Sequence, residues 1–250
     1  MKVTERFSDR VENYVKYRPH YPNEIIPFLE NEIGLSPSSI IADIGSGTGI
    51  SSELFLKNGN TVYGIEPNKE MREAGERLLS EYPNFHSINS TAEATTLPDH
   101  SIDCITSLQA FHWFNVESSG KEFSRILKRD GWVVLIWNDR ELDTSAFLIA
   151  YEKLLNTFGT DYPVVPDNDI ADNVTQLFIK RGHRIAEFRN TQSFDYEGLK
   201  GRLLSSSYTP TPADPKYQPM LTELQKNFDE YQQDNSVIFE YKTRVYYGQL

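Results

Sequence analysis

A chain of 250 residues with 36 acidic against 25 basic side chains and a formal net charge of -11 suits one α/β domain with an elaborated cap. It lacks the basic footprint of a DNA- or RNA-binding surface. Its single cysteine, Cys104, excludes an intrachain disulfide framework and a cysteine-rich metal site and fits a reducing cytoplasm.

The opening MKVTERFSDRVENYVKYRP is charged and has no continuous apolar run. No later stretch reaches the roughly 18 apolar residues of a membrane span, so the chain reads as soluble. Asn89-Ser90-Thr91 and Asn173-Val174-Thr175 match the glycosylation sequon but, without a secretory signal, read as chance. Residues 7–21 form an aromatic leader interrupted by proline, followed by a helix ending near Gly34, and residues 1–34 together are expected to act as a lid. Over residues 35–140, the runs IIAD, TVYGI, FHSI, IDCITS and WVVLIW alternate with helical stretches at 51–58, 69–80 and 117–127, the rhythm of a parallel sheet flanked by helices. Phe123, Ile126 and Leu127 share one face of the third helix, and Gly59 and Gly131 are placed to stop helices. Residues 141–182 read as two helices joined by the loop at 163–166. HRIAEFRNTQSFDY reads as a strand pair or one bent strand, and 221–233 as another helix. The cap thus covers residues 141–235, and the aromatic, β-branched VIFEYKTRVYYGQL of 236–250 closes the sheet.

The run Asp43-Ile44-Gly45-Ser46-Gly47-Thr48-Gly49 follows the strand IIAD and opens a helix, which puts glycines where the backbone must approach a ligand. Glu66, 21 residues after Gly45, ends the next strand, where a carboxylate can accept both hydroxyls of a ribose. A dinucleotide fingerprint reads GxGxxG and holds a pyrophosphate on the helix N-terminus. Here the third glycine comes one residue early and Ile50 stands in the sixth position, which favours a ligand without phosphates over a nicotinamide cofactor.

This segment resembles motif I of the class I S-adenosylmethionine (SAM)-dependent methyltransferases, and Glu66 resembles their ribose-binding acid. The resemblance runs from about residue 11 to 131. YVKYRPHYP, TAEATTLPDHSIDCITSLQAFHWF and the closing strand further resemble the trans-aconitate methyltransferase-like branch of the type 11 methyltransferases. The resemblance implies a Rossmann-like three-layer α/β sandwich with a mostly parallel seven-stranded sheet and helical cap insertions. It implies SAM as cofactor, with Gly45, Ser46, Gly47 and Gly49 lining its methionine and ribose and Asp43 shaping the loop. Glu66 and Pro67 then follow on the ribose side, Gln109 at the methionine end, and Tyr17 over the site. Thr91 falls where many relatives have an aspartate near the adenine amine, a contact that can pass to the Ala92 amide and Glu93; a solvated helix cap is the plainer reading of these residues.

Methyl transfer from a sulfonium requires alignment and exclusion of water more than acid/base machinery. His112, just past the fourth strand, suits a base or an acceptor-orienting donor, or else a ring packed against Trp113. Arg18 suits a carboxylate clamp in a leader that also carries Phe7, Tyr14 and Tyr21, or is a plain surface arginine. Asn138 and Arg140 follow the fifth strand and are expected to reach into the cavity, Arg140 joining Arg18 in orienting the acceptor; residues 205–208 form a polar patch or a plain loop. The scattered histidines make no metal site. The expected function is therefore methylation of a small-molecule acceptor in the cytoplasm, with a carboxylate oxygen as the expected position and neither nucleic acid nor membrane as partner. A SAM-binding protein without catalysis is the alternative, and a nicotinamide-dependent oxidoreductase a more distant one.

Overall fold

The computed structural model describes residues 15–160, Tyr162 and residues 167–250. Its elements, in chain order, are α1 (Ile25–Ile33), β1 (Ile40–Ile44), α2 (Ile50–Lys57), β2 (Thr61–Ile65), α3 (Lys69–Leu78), β3 (Phe85–Ile88), β4 (Ile102–Leu108), a 3-10 turn (Phe111–Trp113), α4 (Val116–Ile126), β5 (Leu127–Arg140), α5 (Ala146–Phe158), α6 (Asp167–Leu177), β6 (Arg184–Phe194), α7 (Tyr196–Leu204), α8 (Tyr217–Tyr231) and β7 (Val237–Gly248). The strands form one seven-stranded sheet in the order β3-β2-β1-β4-β5-β7-β6. β1 to β5 run parallel, and β7 inserts antiparallel between β5 and β6.

Helix starts follow local side-chain chemistry: the side chains of Asn68, Asn115, Ser145 and Asp195 accept from the backbone N–H of Met71, Ser118, Leu148 and Gly198, respectively. α1 ends at Gly34, whose left-handed backbone (φ 69°) sends its N–H to the Leu29 carbonyl. Strands near the middle of the sheet, such as Ile41, Ala42 and Ile105, are buried on both faces, as crossover helices require. One face packs Ala42, Ile44 and Leu135 against Phe123 and Ile126 of α4 and Val174 and Leu177 of α6. The other packs Ile41, Val134 and Ile136 against Ile25 and Leu29 of α1 and Phe55 of α2.

A third cluster builds the cap. Val237, Phe239 and Tyr241, at alternate positions of β7, join Phe147, Tyr151 and Leu155 of α5, Leu199 and Leu203 of α7, and Leu224 and Phe228 of α8. The long strands β6 and β7 therefore carry both the sheet edge and the cap floor.

Of the two readings of HRIAEFRNTQSFDY, the single strand holds: β6 pairs with β7 from Arg184 through Phe194. Gly131 stops no helix: α4 ends at Ile126, and Gly131 lies inside β5. Helix α7, absent from the sequence reading, starts from the Asp195 cap. Of the leader, Phe7 and Tyr14 lie outside the described residues, as does the loop at 163–166.

Candidate active site

Parallel strands deliver their connections to one end of the sheet, and there the loop at residues 45–49 leaves β1 for α2. Gly45, Gly47 and Gly49 hold φ values of 73°, 55° and 87°, backbone that residues with a Cβ rarely adopt. The loop is tied sideways to β2 because the N–H groups of Gly45 and Ser46 both donate to the Ile65 carbonyl, at 2.8 and 3.2 Å. It is also pressed by the segment after β4: a Cβ on Gly45 would stand 2.6 Å from Ala110 Cβ and 3.2 Å from Phe114 Cζ. A Cβ on Gly47 would meet only Met71 Cε, at 3.3 Å. Steric exclusion is thus a matter for Gly45, and the backbone angle for Gly47.

Asp43, fully buried, holds the loop from behind. Its Oδ2 accepts from Ser51 Oγ at 2.6 Å and Ser52 Oγ at 2.7 Å, in the first turn of α2. Its Oδ1 accepts from Thr106 Oγ1 of β4 at 3.1 Å. Burial pushes its carboxyl pKa above the ordinary value, opposed by the three hydroxyls.

Glu66 faces the loop from the end of β2, 9% exposed. Its Oε2 accepts from the Gly47 N–H at 3.0 Å and its Oε1 from the Asn68 N–H at 2.7 Å. One carboxylate therefore spans the glycine loop and the start of α3, with Pro67 as the intervening link. Burial again raises the pKa, against the pull of the two amides and the Arg72 guanidinium. Two carboxylate oxygens that each accept one amide keep further lone pairs for the paired hydroxyls of a sugar.

The other expected residues are placed as follows. Gln109 has φ 57°; its Oε1 accepts from the Asn138 N–H at 3.0 Å, and its own N–H donates to the Ile136 carbonyl at 2.9 Å, so it ties the end of β4 to β5. Ser46 and Ala92 are buried, while Thr91 is exposed and bridges to Ala94. Glu93 Oε1 accepts from the Asn115 N–H at 3.1 Å. Residues 91–94 make a bridged turn, and Glu93 reaches the start of α4, where Asn115 is the N-cap. His112 lies in the 3-10 turn with its ring tilted against Trp113, centroids 4.6 Å apart.

The described part of the leader docks on the cap side. Tyr17 packs edge-on to Phe194 at 6.5 Å and fills the space left by Gly201, where a Cβ would lie 2.0 Å from Tyr17 Cε2. Its ring contacts are with the cap, a different setting from the cofactor contact expected of it. Arg18 Nη2 donates to the Ser205 carbonyl at 3.1 Å, and Asn190 Nδ2 to the His20 carbonyl at 2.7 Å.

Arg140, one of the cations expected to orient the acceptor, belongs to a larger group. Arg140, at the end of β5, pairs with Glu152 and donates to Tyr162 Oη at 3.2 Å. Its guanidinium carbon stands 5.2 Å from the centre of the Tyr151 ring. Arg202 of α7, 6% exposed, donates from Nε to Tyr241 Oη at 3.3 Å and from Nη1 to Ser206 Oγ at 3.2 Å. Residues 205 and 206, read as a polar patch or loop, are wholly buried. Arg140 is among the cations the sequence places at the acceptor; Arg202, between Leu199 and Leu203, is the member that the sequence reading misses.

Residues 42–135 match the family model described as a methyltransferase domain. An uncharacterised methyltransferase-like protein of Schizosaccharomyces pombe is 27% identical over 247 residues, covering 96% of this chain and 93% of that one. An uncharacterised methyltransferase of Mycobacterium tuberculosis is 30% identical over 135 residues, 54% of this chain and 53% of that one. In three dimensions the chain resembles a type II methyltransferase structure from Anaeromyxobacter dehalogenans with a TM-score of 0.68 at 15% identity, over 93% of this chain and 98% of the other. A methyltransferase structure from Anabaena variabilis, from an antibiotic biosynthesis pathway, gives 0.65 at 22% identity, over 95% and 100%. This is the Rossmann-like methyltransferase fold. The matched domain model and the curated relatives are described as methyltransferases. The matched methyltransferase segment contains the glycine loop, Glu66, Gln109 and His112 and stops short of the cap. The names of these relatives state no methyl acceptor. Among the described residues no helix is long and apolar enough to cross a membrane.

Proposed function

We propose that the protein transfers the methyl group of SAM to a small-molecule acceptor, an anionic metabolite methylated on a carboxylate oxygen. The observation that carries the donor half is the Glu66 carboxylate, fixed by the Gly47 and Asn68 amides beside a loop whose glycines keep its backbone bare. That set fits a ribose and, with no further glycine for a pyrophosphate, a nucleoside without phosphates. Thr48 Oγ1 adds a buried hydroxyl in the same loop with no hydrogen-bond partner among the described residues. A Saccharomyces cerevisiae relative, 33% identical over 129 residues, is named for SAM dependence; it spans 48% of this chain and 42% of that one.

SAM supplies a methyl carbon on a positively charged sulfur, already activated for in-line displacement. The chain's residues then bind and align. Asp43 fastens the loop; Glu66 would accept the ribose hydroxyls and the 91–93 turn would hold the adenine. Gln109 and His112, after β4, would hold the methionine end, with Trp113 and Phe114 as walls. A carboxylate acceptor is already nucleophilic, so orientation by cations suffices and His112 has no proton to remove. Arg18, bonded to the Ser205 carbonyl, holds the leader against the cap that frames the acceptor. The resemblance to the trans-aconitate branch and the acidic chain support a small anionic acceptor over a polymer.

Calorimetry with SAM, S-adenosylhomocysteine (SAH) and NAD tests the donor half: micromolar binding of SAM and SAH is expected, and binding of NAD alone overturns the assignment. A screen with methyl-labelled SAM over di- and tricarboxylates, phenols and amines tests the acceptor half. Label released as methanol by mild alkali marks a methyl ester, and alkali-stable product overturns the carboxylate reading.

A further inference from the structure

The donor site leaves two buried guanidiniums unused, one at the end of β5 and one in the cap. Among the described residues Arg202 is bonded only to neutral oxygens, Tyr241 Oη and Ser206 Oγ, and it lies 5.9 Å from the centre of the Phe239 ring. Arg140, its side chain 10% exposed, has one carboxylate, Glu152, which also accepts from Tyr162 Oη at 2.7 Å. The two arginines are neighbours by register: Arg140 stands opposite Tyr241 across β5 and β7, and Tyr241 bonds Arg202. Tyr151 lies between them, its ring under Arg140 and 4.9 Å from that of Phe239.

Among the described residues, two cations against one carboxylate leave a surplus positive charge in a buried setting, where an uncompensated ion costs several kcal/mol. Facing aromatic rings offset only about 2 kcal/mol of that. Two polar atoms of the same group, Arg140 Nη1 and Tyr151 Oη, are buried without a hydrogen-bond partner among the described residues. Each such donor costs about 1–3 kcal/mol. A core whose role was packing alone would be at least as stable with apolar side chains at these positions.

We infer that Arg140, Arg202 and the Tyr151 hydroxyl form a buried receptor for one carboxylate group of a small molecule, the recognition end of the methyl acceptor. A carboxylate matches the surplus in sign and magnitude: one negative charge against one unpaired cation. Its two oxygens accept from a guanidinium fork and a hydroxyl at once. A phosphate dianion would reverse the imbalance rather than cancel it. Burial pushes the Tyr151 hydroxyl pKa up, so it remains a donor throughout the physiological range. The location suits an acceptor, because Arg140 follows Asn138, whose N–H bonds Gln109 Oε1 at the end of β4. This assignment rests on the proposed methyl transfer to a carboxylate and adds that the recognising group is in the cap, outside the matched methyltransferase segment.

The test is calorimetric titration of the full chain, with and without SAH, using succinate and citrate as probes. Succinamide serves as the neutral control and inorganic phosphate and sulfate as anion controls. Saturable binding of a carboxylate probe, absent for succinamide, is expected. Tyr151→Phe, which deletes only the unpartnered hydroxyl, should weaken it about 5-fold or more while raising the ligand-free melting temperature, and Arg202→Met about 20-fold or more. SAH affinity should stay within 2-fold of the parent in both. Failure of both carboxylates to bind, equal binding in parent and Tyr151→Phe, or preference for phosphate or sulfate overturns the receptor. Loss of SAH binding by the parent protein would instead overturn the donor reading, which the carboxylate titration without SAH does not depend on.

Discussion

Replacing Glu66 by glutamine tests the donor site with least disturbance to the fold. The carboxylate accepts the Gly47 and Asn68 amides at 3.0 and 2.7 Å; glutamine keeps one acceptor oxygen and turns an NH2 group toward the other amide. A hydrogen bond to a charged group is worth about 1.5–3 kcal/mol, and the ribose loses at least one such bond. A loss of about 2–3 kcal/mol corresponds to roughly 30- to 140-fold in SAH affinity at 1.4 kcal/mol per decade. Glu66→Ala should also destabilise the ligand-free fold by about 2–4 kcal/mol, since both amides lose their partner. Calorimetry with SAH and urea melts without ligand separate the two effects. A folded Glu66→Gln variant that binds SAH within 2-fold of the parent refutes the ribose assignment.

The same residue sets a pH signature. Burial raises the Glu66 pKa in the folded protein above its unfolded value, so its contribution to stability is fully present below the unfolded pKa and is lost as pH rises through the folded one. The ribose requires the ionised acceptor, so cofactor affinity runs the other way. It should fall as pH drops through the raised pKa, beginning above the usual glutamate range, and Glu66→Gln should abolish that slope.

Asp43→Ala leaves the hydroxyls of Ser51, Ser52 and Thr106 unmatched in a fully buried site, and urea denaturation should show a loss of about 3 kcal/mol or more. Asp43→Asn should cost less than half of that, because a carboxyl whose pKa burial already raises gives up little with its charge; an equal cost would refute this account. Gly45→Ala should lower the melting temperature and SAH affinity more than Gly47→Ala. Its Cβ meets the backbone-anchored Ala110 Cβ at 2.6 Å, whereas that of Gly47 meets the flexible end of Met71 at 3.3 Å; the reverse order refutes the contact argument. Cys104 is buried, and desolvation, aided by Asp103, raises its thiol pKa. It should resist a disulfide reagent at neutral pH until urea unfolds the chain, and rapid stoichiometric labelling of native protein would contradict its placement.

The parallel part of the fold was legible because each element is specified locally. IIADI, IDCITSL and their neighbours are short apolar runs bounded by turn residues, and the helices between them show a single apolar face. Legibility fails where tertiary contacts override local preference. α7 carries Gly198 and Gly201, which lower helix propensity, yet the ring of Tyr17 fills the space that a side chain at Gly201 would need. Gly131 looks like a helix stop, but a Cβ there would stand 3.0 Å from the Lys128 carbonyl oxygen and 3.1 Å from that of Asp103, a crowding known only once β4 and β5 pair. β6 alternates exposed and half-buried residues along an outer strand, too weak a pattern to separate one strand from two.

The candidate site divides along the same line. Its donor half is written within two strand ends and one loop, with Glu66 in the sequence neighbourhood of the glycines it bonds, so spacing alone located it. The cap cluster brings Arg140, Tyr151, Arg202 and Tyr241 together from β5, α5, α7 and β7. In sequence only Arg140 stands out, as a strand-end cation; Arg202 lies in a helix that the sequence does not announce, and Tyr151 and Tyr241 read as a helix aromatic and a strand tyrosine. Only the β5–β7 register, which sets Arg140 opposite Tyr241, reveals that the two charges share one desolvated space. A methyl donor of constant structure can be held by a contiguous, locally encoded loop, whereas recognition of the acceptor is assembled from distant residues. Substitutions in the cap should therefore change which molecule is methylated while leaving donor binding intact, and substitutions at Glu66 or Gly45 should abolish methylation of every acceptor alike.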